Sequence, residues 1–203
     1  MIDSLTDSRR RRNRRGLWLS KRIAGVLAAV VISFFMLTAS IPVNAEPPAF
    51  DEYTIKAGFL FNFAKFVEWP AEVFKDPQSP MVICIIGKDP FGSRLDVFEN
   101  KTIAGRRLVI RRVSSVDQAE KCHICFIGRS EREQLPAILK AIRNRKVLTI
   151  SETQNFCRAG GVINLFLDDD KVRFEINIRN ADKAGLKMSS QLLNLARICR
   201  EDN

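Results

Sequence analysis

Apolar positions between residues 51 and 68 recur with a helical period. Tyr53, Ile55, Phe59, Leu60, Phe63, Phe66 and Val67 fall close to every 3.6 residues, which predicts a helix with one apolar stripe. Trp69-Pro70 ends it, because proline cannot continue a helix and restricts the residue before it. Phe61 adds a ring off the stripe. Met81 to Ile86 (MVICII) is a short, unbroken apolar run that stops at Gly87, the pattern of a strand buried on both faces. Lys88 to Gly92 is a loop, and Asp89-Pro90 predicts the start of a short helix reaching Phe98.

Further along, Leu108 to Val113 (LVIRRV) reads as a strand and Val116 to Lys121 as a helical turn. His123 to Ile127 (HICFI) reads as a second buried strand. Ser130-x-x-Glu133 has the form of a capping box, and Leu135, Ile138, Leu139 and Ile142 follow it at helical spacing. Val147 to Ile150 is the next strand. After the turn at Gly160-Gly161, Val162 to Leu167 and Val172 to Ile178 flank Asp168-Asp169-Asp170, which predicts a β-hairpin with an acidic turn. A last helix is expected from Ser189 to Arg200.

Helices alternating with apolar strands imply an α/β fold. The expected architecture is a three-layer α/β/α sandwich, a mostly parallel sheet with a C-terminal antiparallel hairpin and right-handed crossovers.

Ahead of this domain the pattern changes. Residues 1–22 carry eight basic and two acidic side chains, Ile23 to Ala39 is apolar and uncharged, and Val43-Asn44-Ala45 places small residues where a signal peptidase reads. Residues 1–45 therefore read as a signal peptide, leaving 46–203 as a single exported α/β domain that begins near Glu46. The competing reading is a retained anchor, since about 17 apolar residues approach the length needed to cross the hydrocarbon core. In both readings the basic end stays cytoplasmic and residues 46–203 are exported. Asn13 to Trp18 loosely matches a twin-arginine signal, so the export route stays open.

Charge then takes on a different meaning. The chain is formally +10, but residues 46–203 hold 25 bases against 21 acids. The excess belongs mostly to the leader, so nucleic-acid binding loses its support. One histidine, His123, excludes metal sites that need two.

Candidate chemistry is sparse. Cys122-His123-Ile124-Cys125 spells C-x-x-C, but it enters a strand, where positions three apart point to opposite faces; a redox pair needs a helix N-terminus. Haem attachment needs a histidine where Phe126 stands. Gly87 to Gly92 lacks the order of a phosphate loop, and Pro90 removes a donor. Arg106, Arg107, Arg111 and Arg112 form a basic cluster whose members alternate sides of a strand. No Ser/His/acid arrangement is legible, so no catalytic residue, cofactor or metal is expected, and the protein reads as a non-enzyme. In an oxidising compartment a disulfide between Cys84, on the first strand, and Cys122, at the start of a neighbouring one, is the better reading of the cysteines. With five cysteines at least one thiol stays free, and Cys125 is the expected buried one. The surplus phenylalanine of the first helix leaves a face for a partner or a second copy of the chain.

Several of these segments together resemble the YfiR-like periplasmic proteins. The run EYTIKAGFLFNFAKFVEWP at 52–70 is similar to the family's opening signature. IGKDPFG at 86–92, CHI at 122–124, GGVINL at 160–165, VRFEIN at 172–177 and AGLKMSSQLL at 184–193 follow in the family's order. The resemblance covers essentially all of residues 50–199.

It implies a regulator that binds and represses the periplasmic sensor domain of an inner-membrane diguanylate cyclase, lowering cyclic-di-GMP, and that an outer-membrane lipoprotein sequesters. It matches Cys84 and Cys122 to the family's first bridge. The family's second bridge has one end at Cys157, but the position seven residues on is Asn164, which puts a two-bridge redox switch in doubt. Whether Cys157 pairs with Cys199 stays open. Glu175, Arg179 and Leu186, in and after the terminal hairpin, are the expected partner-binding residues, because a sheet edge offers backbone and side chains to a partner. The alternative function is a periplasmic small-ligand sensor or accessory protein of another membrane system.

Overall fold

The computed structural model describes residues 51–199. The expected signal peptide, its cleavage site and the end of the last expected helix at Arg200 lie outside these residues. Among the described residues no helix is long and apolar enough to cross a membrane.

Helix α1, Glu52–Phe66, starts where the Asp51 carboxylate accepts hydrogen bonds from the Thr54 amide at 3.3 Å and the Thr54 hydroxyl at 2.8 Å. It buries Ala57, Leu60, Phe63, Ala64 and, unexpectedly, Lys56. Ile55 faces outward instead of inward. The helix ends two residues before the expected Glu68, because Val67–Glu68 turn extended as β1 and pair antiparallel with β9, Lys187–Met188.

The strands of the main sheet are β2 (Met81–Ile86), β3 (Thr102–Ile103), β4 (Arg106–Val113), β5 (Ile124–Ile127), β6 (Leu148–Ser151), β7 (Ile163–Asp168), β8 (Lys171–Ile176) and β10 (Arg197–Ile198). Their order is β10-β8-β7-β6-β5-β2-β4-β3. The central pairs β4-β2-β5-β6-β7 are parallel, and β7-β8 is the antiparallel hairpin. The fold is thus a mixed α/β domain around a mostly parallel eight-stranded sheet.

Alternation along the strands separates two cores. Ile83, Ile85, Ile124, Phe126, Leu148 and Ile150 pack on the α1 side. Val82, Cys84, Ile86, Cys125 and Ile127 pack on the other, beneath Leu135, Ile138, Leu139 and Ile142 of α3, Leu135–Ile142.

Several elements depart from the sequence expectations for local reasons. Asp89-Pro90 makes a turn, with the Asp89 carboxylate accepting from the Phe91 and Gly92 amides at 2.7 and 3.2 Å. Helix α2 is therefore confined to Ser93–Asp96. Ser130 does not cap α3: residues 129–131 form a single 3-10 turn, and Pro136 in the first turn of α3 sets its start at Leu135. The hairpin turns on Asp169 and Asp170, both at positive φ (47° and 57°), the backbone that a two-residue hairpin connection needs. Its second strand stops at Ile176, because Asn177 caps a helix the polar sequence hid, α4 (Ile178–Lys183), by accepting from the Asn180 amide at 3.0 Å. The last helix, α5, spans only Ser190–Leu195. Beyond it the chain becomes β10 and joins β8 in parallel, with the Cys199 amide donating to the Ile176 carbonyl at 2.9 Å.

Candidate functional site

Cys84, in the middle of β2, is joined to Cys122 just before β5, with Cα atoms 5.9 Å apart. The bridge closes 38 residues of chain and contributes about 4 kcal/mol in the chain-entropy picture. Cys122 and Cys125 do not face opposite sides: both belong to the core beneath α3. Alternation fails there because the strand starts only at Ile124, leaving Cys122 free of its pleat. Cys125 stands directly beside Cys84 in the parallel register, and burial pushes its thiol up to about 12. His123, next in the chain, is pushed down to about 4 by burial and then by Arg106. Its Nδ1 accepts from the Val82 amide at 3.1 Å, and its ring stacks on Phe74 at 4.6 Å.

Two of the four arginines in the cluster hold loops in place. Arg106 donates to the carbonyls of Asp76, Pro77 and Ser79 and lies 3.8 Å over the Phe74 ring. Arg112 pairs with Asp89 and Asp96 at 2.7 Å each. Arg106 and Arg112 thus fasten loops to a strand, while Arg107 donates to Asn100 Oδ1 at 3.1 Å and Arg111 is exposed.

The three residues expected to meet a partner separate by role. Leu186 is 1% exposed and sits in the core on the α1 side, so it is scaffold. Glu175 lies on β8, which is not a free edge at that point because β10 covers it. Its Oε2 accepts from Arg197 Nη2 at 2.7 Å and Nε at 3.1 Å, and its Oε1 from Asn164 Nδ2 at 3.1 Å. The carboxylate thus clamps the last strand. Arg179 is exposed on α4. Leu195 and Ile198, at 75% and 41% exposure, are the large apolar side chains left open beside this edge. The Sγ atoms of Cys157 and Cys199 and a Glu175 oxygen lie within 4.8 Å of one another, with neither cysteine in a disulfide. Asn164 beside them is tied to Glu175. Burial first, then Glu175, raises both thiols above the ordinary range.

A second constellation was not legible in the sequence. After β2 the chain crosses to β4 on one side and then returns past β2 to β5 on the other. Such a reversal opens a crevice beyond the carboxyl ends of the two strands. Here it is a cleft of about 380 Å³, lined by Tyr53 of α1, Lys88 and Pro90 after β2, Arg129 and Ser130 after β5, and Glu152 after β6. The loops meet closely: the Lys88 amide donates to Ser130 Oγ at 2.9 Å, and a Cβ on Gly128 would come 2.9 Å from the Lys88 carbonyl.

Under the cleft lies a buried ionic group. The Lys56 ammonium, wholly buried, contacts the carboxylates of Glu152 and Glu52. Glu152, with a side chain 2% exposed, also accepts from the Tyr53 hydroxyl at 3.1 Å and lies 3.2 Å from Arg129 Nε. Burial and the adjoining carboxylate raise the Tyr53 phenol to about 12, so it remains a donor at neutral pH. The signals that point to this group are a lysine on the buried face of an amphipathic helix and an acid just past the carboxyl end of a strand.

Comparison with one solved structure agrees with this architecture. A conserved domain protein from Vibrio cholerae has a similar structure, with 12% identity, a TM-score of 0.50 and coverage of 73% of this chain. The chain spans 60% of that protein's length, and at this identity the likeness concerns the fold alone. The ABC domain from Streptococcus pneumonia, solved in complex with L-Trp, aligns over 58% of this chain and 54% of its own, at 11% identity and a TM-score of 0.44. The family model described as YfiR/HmsC-like matches residues 53–197, from the first turn of α1 to the last strand, and the chain belongs to that family.

Proposed function

We propose that this protein is an exported regulator that binds the periplasmic sensor domain of an inner-membrane diguanylate cyclase and represses it, lowering cyclic-di-GMP. The observation that carries this reading is the family match over residues 53–197, which supports a periplasmic regulatory role in cyclic-di-GMP signalling. In this reading residues 1–45 direct export, and an outer-membrane lipoprotein relieves the repression by capturing the regulator. The surface around β10 supports docking: beyond Glu175 and Ile176 the outer side of β8 has no strand beside it among the described residues. Leu195, just before β10, and Ile198, on it, are exposed, as is Arg179 on α4. An extended segment of a partner can add to such an edge, with apolar side chains giving specificity.

Deleting the gene in a strain that expresses the cyclase should raise cyclic-di-GMP and biofilm formation, and Leu195→Asp should weaken capture of the sensor domain without loss of fold. An unchanged cyclic-di-GMP level in the deletion strain would sink the repressor reading. A second reading, a periplasmic small-ligand sensor, is favoured by the cleft at the carboxyl ends of β2 and β5.

A further inference from the structure

We propose that the cleft between the loops after β2, β5 and β6 binds a small organic anion, its carboxylate or phosphate group taken by Arg129 and Lys88. The inference stands apart from repression, because binding is a property of this chain alone.

Its first support is position. In open α/β sheets the crevice at the reversal of strand order, beyond the carboxyl ends, is where ligands bind. The lining here comes from α1 and the loops after three neighbouring strands, so the sheet itself holds it in place. A volume of about 380 Å³ lies within the range of small-molecule sites.

The second support is the buried ionic group. Taking a lysine and a glutamate out of water costs several kcal/mol per ion, and well-packed apolar residues at such positions are commonly no less stable. The arrangement does more than fill space. Glu152 contacts Lys56, Tyr53 and Arg129 together. Its acceptor capacity is therefore committed, and it offers nothing to a cationic ligand. What it does is fix Arg129 by the Nε atom, while the Arg129 side chain as a whole remains 64% exposed and lines the cleft. Lys56 and Arg129 together balance Glu152 and Glu52, so the ionic group is neutral and Lys88 adds the net positive charge of the lining.

The third support is the chemistry of what faces the opening. Lys88 contributes an exposed ammonium and Arg129 a planar donor fork, the group that suits carboxylate and phosphate oxygens. The Tyr53 ring and Pro90 form apolar walls for the body of the ligand. Donors at one end and a ring and a pyrrolidine beside them describe an anion carried on a compact organic frame.

The test is titration of the purified protein with potassium phosphate, acetate and citrate against potassium chloride at matched ionic strength, followed by calorimetry and by melting temperature. At least one anion should bind saturably and raise the melting temperature, as a ligand selective for the native state must. The phosphate and the carboxylate arms identify which group is preferred. Arg129→Ala and Lys88→Ala, both at exposed side chains, should each weaken binding by about tenfold or more, while Lys140→Ala on the outer face of α3 should leave it unchanged. No saturable binding by any of the three anions, or binding indifferent to Arg129→Ala, would overturn the proposal.

Discussion

The two faces of the central sheet are closed by different means. On the α1 face, a fifteen-residue helix lays Phe63 against Phe59 at 5.8 Å and Phe174 at 5.1 Å. Phe91 meets Phe126 at 4.7 Å nearby. On the opposite face an eight-residue helix supplies aliphatic side chains, Phe156 is the one buried ring of that core among the described residues, and the Cys84–Cys122 bridge lies within it. Large aromatic area holds the first face, whereas a covalent constraint supplements the thinner second face.

The contrast can be broken from either side. Phe63→Ala should cost the most, about 3–5 kcal/mol in urea unfolding, since it removes a ring with no exposure from a packed aromatic group. That loss should be the same with and without reductant; a loss that depended on reductant would mean the two faces are not independent. Replacing Cys84 and Cys122 together by alanine should cost about 3–4 kcal/mol under oxidising conditions, and almost nothing further once the wild type is reduced. Equal stability of the oxidised wild type and the double variant would remove the bridge from the account.

The smallest effect sharpens the picture at the amino end of β5. His123 is held neutral in the fold, its pKa lowered from 6.5 to about 4. The unfolded chain therefore binds more protons in that window, and the contribution of His123 is present above pH 6.5 and is lost as pH falls toward 4. The loss amounts to at most about 3 kcal/mol. Urea unfolding of the wild type and of His123→Gln across this window should converge as pH falls; parallel curves would show that another group carries the pH dependence.

What the sequence revealed follows from how locally each feature is determined. Helix α1 and strands β2 and β5 were legible because period and apolar run lie in contiguous residues, and Pro70 marks where the helix must yield. The hairpin was legible from its acidic turn. Ser130 and Glu133 have the spacing of a capping box, but the loop after β2, 42 residues away, takes the Ser130 hydroxyl instead. Helix α4 was hidden in polar residues that only tertiary packing makes helical. Strand β10 exists because β8 offers it a ladder. The crevice was illegible for the same reason: Lys56 falls on the apolar stripe between Tyr53 and Leu60, but Glu152, whose charge meets it, lies 96 residues on. Leu186, chosen as a contact residue, is covered by packing that no spacing rule in its segment reports.

Cys125 sets a limit on the chemistry of its neighbour. It stands beside Cys84 in register, close to a bond that a thiolate could open. With the thiol pushed to about 12, only on the order of one molecule in 10⁵ carries that thiolate at pH 7, and exchange requires the thiolate. Shuffling of the bridge is therefore a reaction of the opened chain, where the thiol regains its ordinary acidity. The lifetime of the native pairing is then governed by the rate at which this layer opens, so a substitution that loosens α3 should shorten that lifetime without touching a cysteine.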